Sequence, residues 1–310
     1  MTDQPQPIQP FVVVRGEASP DHALDGAVLA IGNFDGVHRG HRAVIAAALA
    51  RAKALGRPAA ALTFEPHPRG FFRPNEPLFR LTDERAKLRL LATTGLDGAI
   101  VLRFDAELAG LSAAEFIARI LVGRFAVAGV VIGFDFHFGL NRGGSPEYLA
   151  AQGAKLGFAV DIVPRFEDQG RAVRSGPIRA ALAAGHMGEA NELLGYPTAN
   201  LRLDPGCGLK HGIYAVRVGV GARRYDGVAS FGRRPMFDQG TVLLEVFLFD
   251  FTGDLYGEII DVAFVDWIRP ELKFDSVEGL IRRMDEDSRL ARAMLAAAPR
   301  AFPRLGQVPG

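Results

Sequence analysis

Short apolar runs punctuate the first part of the chain at residues 27–31, 59–64, 99–102, 127–132 and 158–163. Each is bounded by Gly or Pro and is too short for a buried helix. They therefore predict strands covered on both faces. Helical patterns lie between them. Residues 41–55 are rich in Ala and Leu and stop at Gly56, a suitable residue just past a helix end. Thr82 is placed to cap a helix over 83–93. Ser112 with Glu115 forms a capping-box pattern for a helix to about Arg124. Ser145 followed by Pro146 fits the cap and first turn of a helix that ends near Gly157. Strand–helix alternation at this spacing predicts an open parallel sheet with helices on both faces.

The texture changes after about residue 200. Residues 213–220, 224–231, 242–251 and 259–267 alternate or run apolar, and Gly- or Asp-containing turns separate them. No helix-length segment intervenes, so an antiparallel sheet or small barrel is expected. A charged amphipathic helix follows, from Ser276 to about Ala298. The chain thus reads as an α/β domain over 11–186, an antiparallel β domain with a terminal helix over 187–310, and a polar, Pro-rich, disordered tail over 1–10. The boundary falls in the helical connector 177–195.

Bulk properties narrow the function classes. A chain of 310 residues is long for one core and suits two domains. The net charge is +1, so no global basic field favours nucleic acid. The single cysteine, Cys207, excludes an intrachain disulfide. No apolar run reaches the ~18 residues of a membrane helix, and the N-terminus lacks the basic and apolar segments of a secretory signal. A cytoplasmic protein without a membrane partner is expected, and a homo-oligomer is compatible with the sequence.

The candidate chemistry begins where the first sheet strand ends, at Gly32-Asn33-Phe34-Asp35-Gly36-Val37-His38-Arg39-Gly40-His41. Ligands of open α/β sheets bind at such a strand end. Glycines let the backbone approach a phosphate, and the following helix offers unpaired N–H groups. His38 and His41 are three apart and share one face of the first turn. A zinc site from His38, His41, His67 and His137 is the competing reading, without an H-E-x-x-H or a Cys cluster to support it.

The loop matches G-x-F-D-x-x-H-x-G-H, and so resembles the signature of the nucleotidyltransferase superfamily. Three further segments, Thr63-Phe64-Glu65-Pro66-His67-Pro68, Gly133-Phe134-Asp135-Phe136-His137-Phe138-Gly139 and Ser175-Gly176-Pro177-Ile178-Arg179, sharpen the resemblance. Together they look like the adenylyltransferase half of bacterial bifunctional riboflavin kinase/FAD synthetase, from about Phe11 to Gly195. The resemblance implies a Rossmann-like fold and transfer of the adenylyl group of ATP to FMN. It implies that His38 and His41, with Gly32, Phe34, Asp35, Gly36 and Gly40, hold ATP phosphates, and that Asp135 contacts nucleotide and Mg²⁺. Ser175 and Arg179 would hold phosphate oxygens. Phe64, His67, Pro68 and Phe136 would line the flavin side. Core packing is the equally weighted alternative for Phe136 and Phe138, since alternate strand positions face opposite ways.

Residues from Tyr196 to about Ala297 resemble the riboflavin kinase domain, through Pro197-Thr198-Ala199-Asn200, Gly212-Ile213-Tyr214-Ala215, Leu244-Glu245-Val246 and Ile268-Arg269-Pro270-Glu271. The resemblance implies that Thr198 and Asn200 ligate Mg²⁺-ATP, that Glu245 is the base and that Arg269 meets the flavin. A base suits a kinase, because the ribityl hydroxyl of riboflavin is neutral and must lose a proton. One departure stands out. Leu193-Leu194-Gly195 runs directly into Tyr196 and the P-T-A-N motif, whereas the family interposes a strand and a glycine-rich loop. A barrel shortened by one strand and a weakened kinase are expected. Arg174, Leu140 and Met236 also stand where the pattern has Ser, Lys and Thr. The alternatives are an adenylyltransferase for a pantetheine or nicotinamide nucleotide, and an FMN adenylyltransferase whose C-terminal domain only binds flavin.

Overall fold

The computed structural model describes residues 11–16, 23–76, 78–168, 170–195, 207–232, 242–255, 257–274, 276–303, 305–306 and 308, and the backbone alone at 198–199 and 233. The expected disordered tail, Asn200 and Met236 lie outside the described residues. By its contacts the chain divides into two units. The first holds 1–76, 84–167 and 304–310, and the second holds 77–83 and 168–303.

The first unit contains β1 (Val12–Arg15), β2 (Val28–Ile31), α1 (Arg39–Leu55), β3 (Ala59–Glu65), α2 (Pro68–Phe72), α3 (Glu84–Leu91), β4 (Gly98–Arg103), α4 (Ala106–Gly110), α5 (Ala113–Glu115), β5 (Gly129–Gly133), α6 (Pro146–Leu156) and β6 (Ala159–Val163). A π-helix (Phe116–Val122) continues α5. The strands form one parallel sheet in the order β1-β4-β3-β2-β5-β6. Every residue of β2 is buried, as are nearly all of β3, β4 and β5. Continuous apolar runs are what a strand covered on both faces requires. The half-exposed β6 carries Asp161, and Arg51 of α1 grips both its oxygens at 2.7 and 2.5 Å.

Local chemistry ends these helices as expected. Gly56 adopts a left-handed conformation (φ 61°) and its N–H reaches the carbonyls of Ala52 and Lys53. Ser112 and Glu115 form a reciprocal capping box. Its hydrogen bonds from Ser112 hold the Glu115 carboxyl below the usual carboxylate range. The structure also differs from expectation, and the short helices α2 and α4 were not foreseen. Helix α1 begins at Arg39, two residues early, because His38 caps it. The helix after Ser112 widens into π geometry after one turn. Strand β1, unforeseen in the sequence, pairs with β4 at the sheet edge.

In the second unit, short strands β7 (Glu167–Asp168, its first residue in unit one) and β8 (Arg171–Ala172) precede α7 (Ser175–Ala184) and α8 (Met187–Leu194). Then come β9 (Thr198–Ala199), β10 (Gly212–Val220), β11 (Arg223–Arg233), β12 (Val242–Leu248), β13 (Ile260–Arg269) and α9 (Val277–Ala297). The last five strands form an antiparallel sheet in the order β12-β11-β10-β13-β9. Among the described residues no pairing joins β12 to β9. A two-residue turn with Gly221 at φ 55° links β10 to β11. Helix α9 is clamped twice. Arg217 pairs with Asp226 directly across the sheet and donates to the carbonyls of Leu295 (3.2 Å), Ala298 (2.8 Å) and Pro299 (3.1 Å). A cation at a helix C-terminus meets unpaired carbonyls and the negative end of the helix dipole. Arg269 holds the buried Asp287 from the other side.

Candidate active site

The strand order places β3, β2 and β5 side by side. The chain steps outward from β2 through β3 to β4, then returns to β5 on the opposite side of β2. In open sheets of this kind ligands bind outside the carboxyl ends where the order reverses. Three segments expected at a site leave β2, β3 and β5, so parallel topology brings them to one edge.

The first is a strained, anchored loop. Phe34, Gly36 and Val37 have φ of 49°, 81° and 38°. A left-handed valine is costly, on the order of 1–3 kcal/mol, and persists only because its surroundings hold it. The Phe34 ring is 1% exposed and Val37 is fully buried. The Val37 N–H donates to the Phe34 carbonyl at 3.0 Å. Phe34, expected at phosphate, is thus an anchor whose ring faces the interior, leaving its backbone for a ligand. Asp35 is also buried. Gly32 continues the ladder from β2 by donating to Leu62, and a Cβ there would press on the Phe34 ring at 3.4 Å.

His38 caps α1, and its Nδ1 accepts the His41 N–H at 3.2 Å. An accepting Nδ1 carries no proton, so in the neutral ring the proton sits on Nε2, which becomes a donor. The two imidazoles stack with centroids 3.6 Å apart and planes 16° from parallel. His41 meets the edge of the Phe34 ring at 5.2 Å. The first turn of α1 holds Gly40 and no acidic residue. Its positive end is therefore not neutralised by its own first turn, which suits an anion.

The β3 exit carries Phe64, His67 and Pro68. His67 caps α2, its Nδ1 accepting the Arg69 N–H at 3.1 Å. Phe64 meets Phe104 at 5.9 Å, and Phe104 meets Phe71 and Phe72 at 5.5 and 5.6 Å. Phe72 is 64% exposed. The result is an aromatic cluster with an open rim at the carboxyl ends of β3 and β4. Phe104 escaped the sequence reading, although its place directly after a strand was a signal.

The β5 exit carries Asp135, which is exposed, and His137, whose Nδ1 lies 3.1 Å from the Asp135 carbonyl. Phe136 and Phe138 stack at 5.5 Å rather than facing opposite ways. The strand has ended at Gly133 and turned, so strand alternation no longer applies. Phe138 is core, packed on Phe116 at 5.5 Å, and Phe136 is half-buried against the same core. Gly139 must be glycine, since a Cβ would lie 2.5 Å from the Ala113 nitrogen.

The remaining expected residues belong to the second unit. Arg174 precedes α7 as its cap residue, Ser175 opens the helix, and the Arg179 Nε donates to the Phe79 carbonyl. Glu245 sits mid-way along β12 on its exposed face, opposite Ser230. Arg269, expected at the flavin, has its guanidinium against Asp287 and the Pro270 carbonyl. Thr198 contributes backbone pairing to Phe264; its side chain and Asn200 are not among the described atoms. No group of three or more His, Cys, Asp or Glu arranged to hold a metal occurs among the described residues, including the four histidines of the zinc reading.

The comparisons with known proteins divide the chain in a similar way. Residues 21–176 match the FAD synthetase family model and residues 184–295 match the riboflavin kinase model. A bifunctional riboflavin kinase/FMN adenylyltransferase of Pseudomonas fluorescens is 39% identical, over 93% of this chain and 99% of its own. The chain belongs to the bifunctional riboflavin kinase/FMN adenylyltransferase family. Family members of the same description from Haemophilus influenzae and Escherichia coli K12 are 35% and 36% identical, covering 91% and 86% of this chain and 98% and 92% of theirs. A crystal structure described as a macrolide-efflux protein of Streptococcus pneumoniae shares the fold, with a TM-score of 0.79 and 29% identity, covering 91% of this chain and 99% of that one. No helix among the described residues is long and apolar enough to cross a membrane. The alignment with the Pseudomonas family member spans 315 positions, whereas 93% of 310 residues is about 288. This chain thus lacks about 27 positions within a comparison that takes in almost all of its relative.

Proposed function

We propose that this chain makes FAD by transferring the adenylyl group of ATP to FMN, and that it phosphorylates riboflavin more slowly. The stacked His38–His41 pair at the N-terminus of α1 carries the first part of the reading. An oxygen of the FMN phosphate attacks the α-phosphorus of ATP. A new P–O bond forms, the α–β bridge breaks, and pyrophosphate leaves with the bonding pair. The nucleophile is already an anion at neutral pH, so no general base is required. The residues have to position two anions and stabilise charge building on the phosphorus. The His38 Nε2–H and the N-terminal end of α1 are donors of that kind. Gly32, Gly36 and Gly40 admit the phosphates. Phe64, Phe72, Phe104, His67 and Pro68 form the flavin side, with Phe136 at its margin. Asp135 is the exposed carboxylate for Mg²⁺, which such sites hold through one or two carboxylates and substrate phosphates; bound, the ion neutralises phosphate charge.

In the second domain, which we place at 187–310 after an adenylyltransferase domain at 11–186, Glu245 takes the proton of the ribityl hydroxyl as it attacks the γ-phosphorus, the β–γ bridge breaks, and ADP leaves with the bonding pair. Thr198 and Asn200 hold Mg²⁺-ATP, while Ser175 and Arg179 of α7 bind phosphate oxygens for the first reaction. Two observations support a slow kinase: the shortfall of about 27 aligned positions, and the direct run from Gly195 into the P-T-A-N motif. The riboflavin kinase match over 184–295 favours two activities over a C-terminal domain that only binds flavin. The test is to incubate the protein with Mg-ATP and either FMN or riboflavin and to separate the flavins by chromatography. FAD from FMN is expected at a higher rate than FMN from riboflavin. Absence of FAD in the first reaction would refute the main reading, and a faster second reaction would refute the ranking.

A further inference from the structure

The geometry points to Lys87 as a positioning residue for adenylyl transfer, acting through Thr63 on the phosphate loop. Lys87 stands on α3 among buried Ala86, Leu88, Leu90 and Leu91, and is itself only 2% exposed. A buried ammonium needs a partner, and Glu65 supplies one at 2.7 Å. The same nitrogen also reaches the Thr63 hydroxyl at 3.1 Å, the Phe64 carbonyl at 3.4 Å and the Asn33 carbonyl at 3.5 Å. Thr63 in turn donates its proton to the Asn33 carbonyl at 3.1 Å. The result is a relay, ammonium to hydroxyl to carbonyl, in which each bond polarises the next.

The relay ends at a decisive place. Asn33 lies between the last ladder bond of β2, made by Gly32, and the strained residue Phe34. Its carbonyl is tied to Thr63 of β3 just before the chain turns toward His38. An ion pair kept for stability alone needs only Lys87 and Glu65, and such pairs are often replaceable by apolar residues. Holding the loop requires the link through Thr63 as well.

This inference rests on the loop being the ATP site, so the experiment carries a control for that. Lys87→Met, the double variant Glu65→Gln/Lys87→Met, and Thr63→Val are compared with the wild type and His38→Ala. Thermal midpoint, kcat, and KM for ATP and FMN are measured in the FMN-to-FAD reaction. Lys87→Met takes the ammonium away from the Glu65 carboxylate and lowers the midpoint. The double variant removes both charges and recovers most of it. Its kcat nonetheless stays about 10- to 100-fold below wild type, because a small displacement of the loop is costly. KM for ATP rises and KM for FMN holds. Thr63→Val moves the same parameters in the same direction. Wild-type kcat in the double variant beside an inactive His38→Ala overturns this inference alone. Wild-type turnover in His38→Ala, or no FAD from the wild type, overturns the loop reading and this inference with it.

Discussion

The parallel and antiparallel sheets of this chain assemble reactive groups in opposite ways. In the first unit every strand runs the same way, so the segments leaving β2, β3 and β5 all emerge at one edge. Residues far apart in sequence meet there without needing contacts within a strand. The His38–His41 pair, the Phe64 cluster and Asp135 are consequences of that direction. In the second unit successive strands reverse, and the turns fall at alternate ends. Its proposed base, Glu245, sits mid-strand on the exposed face of β12. Glu245 is presented by register, since a slip of one residue would turn it to the other face. A site made by loops is legible as a contiguous motif, whereas a site made by register needs the pairing to be known.

The largest expected effect separates the units by stability. Arg269→Met removes the nearer partner of the buried Asp287 and leaves it Arg283 at 3.4 Å, and breaking a buried pair in this way costs up to about 3–5 kcal/mol. Chemical denaturation should record that loss in the second unit, while FAD formation from FMN persists below the new transition. Loss of both together would break the contrast. Next, His38→Ala should lower FAD formation by roughly 10²- to 10³-fold, as loss of one oxyanion donor does. His38→Asn restores a capping side chain, so it should recover the thermal midpoint but not the turnover. Glu245→Gln should lower FMN formation from riboflavin by about 10²-fold, the smaller end of general-base effects, and leave FAD formation unchanged in the same preparation. The smallest change is Ser112→Ala, which removes the capping box and costs about 1 kcal/mol. A midpoint shift without change in either activity would show that the start of this helix supports the fold only.

Much of the first unit was legible because its signals are local. The buried runs, the Gly56 stop, the Ser145-Pro146 start and the Ser112–Glu115 box each depend on a few adjacent residues. The loop signature was legible too, and the structure adds that His38 works as a cap and Phe34 as an anchor. What escaped was set by distant partners. Strand β1 is four residues long and exists through its ladder to β4. Phe104 is the hub that ties Phe64 of β3 to Phe71 and Phe72 of α2. Arg269 carried an expected flavin role, and its pairing with Asp287, eighteen residues on, was not foreseen.

By itself, then, the amino-acid order determined the main helix caps and stops, which strands are covered, and which loop is the candidate for phosphate chemistry. All of these follow from neighbouring residues and the backbone's own hydrogen-bonding demands. Only tertiary structure decided that Lys87 braces that loop across 54 residues, or that Arg217 caps α9 across 78. A charge on an apolar helix face announces that it must find a partner, because burial without one is costly. Which partner it finds depends on how the sheet brings remote segments together.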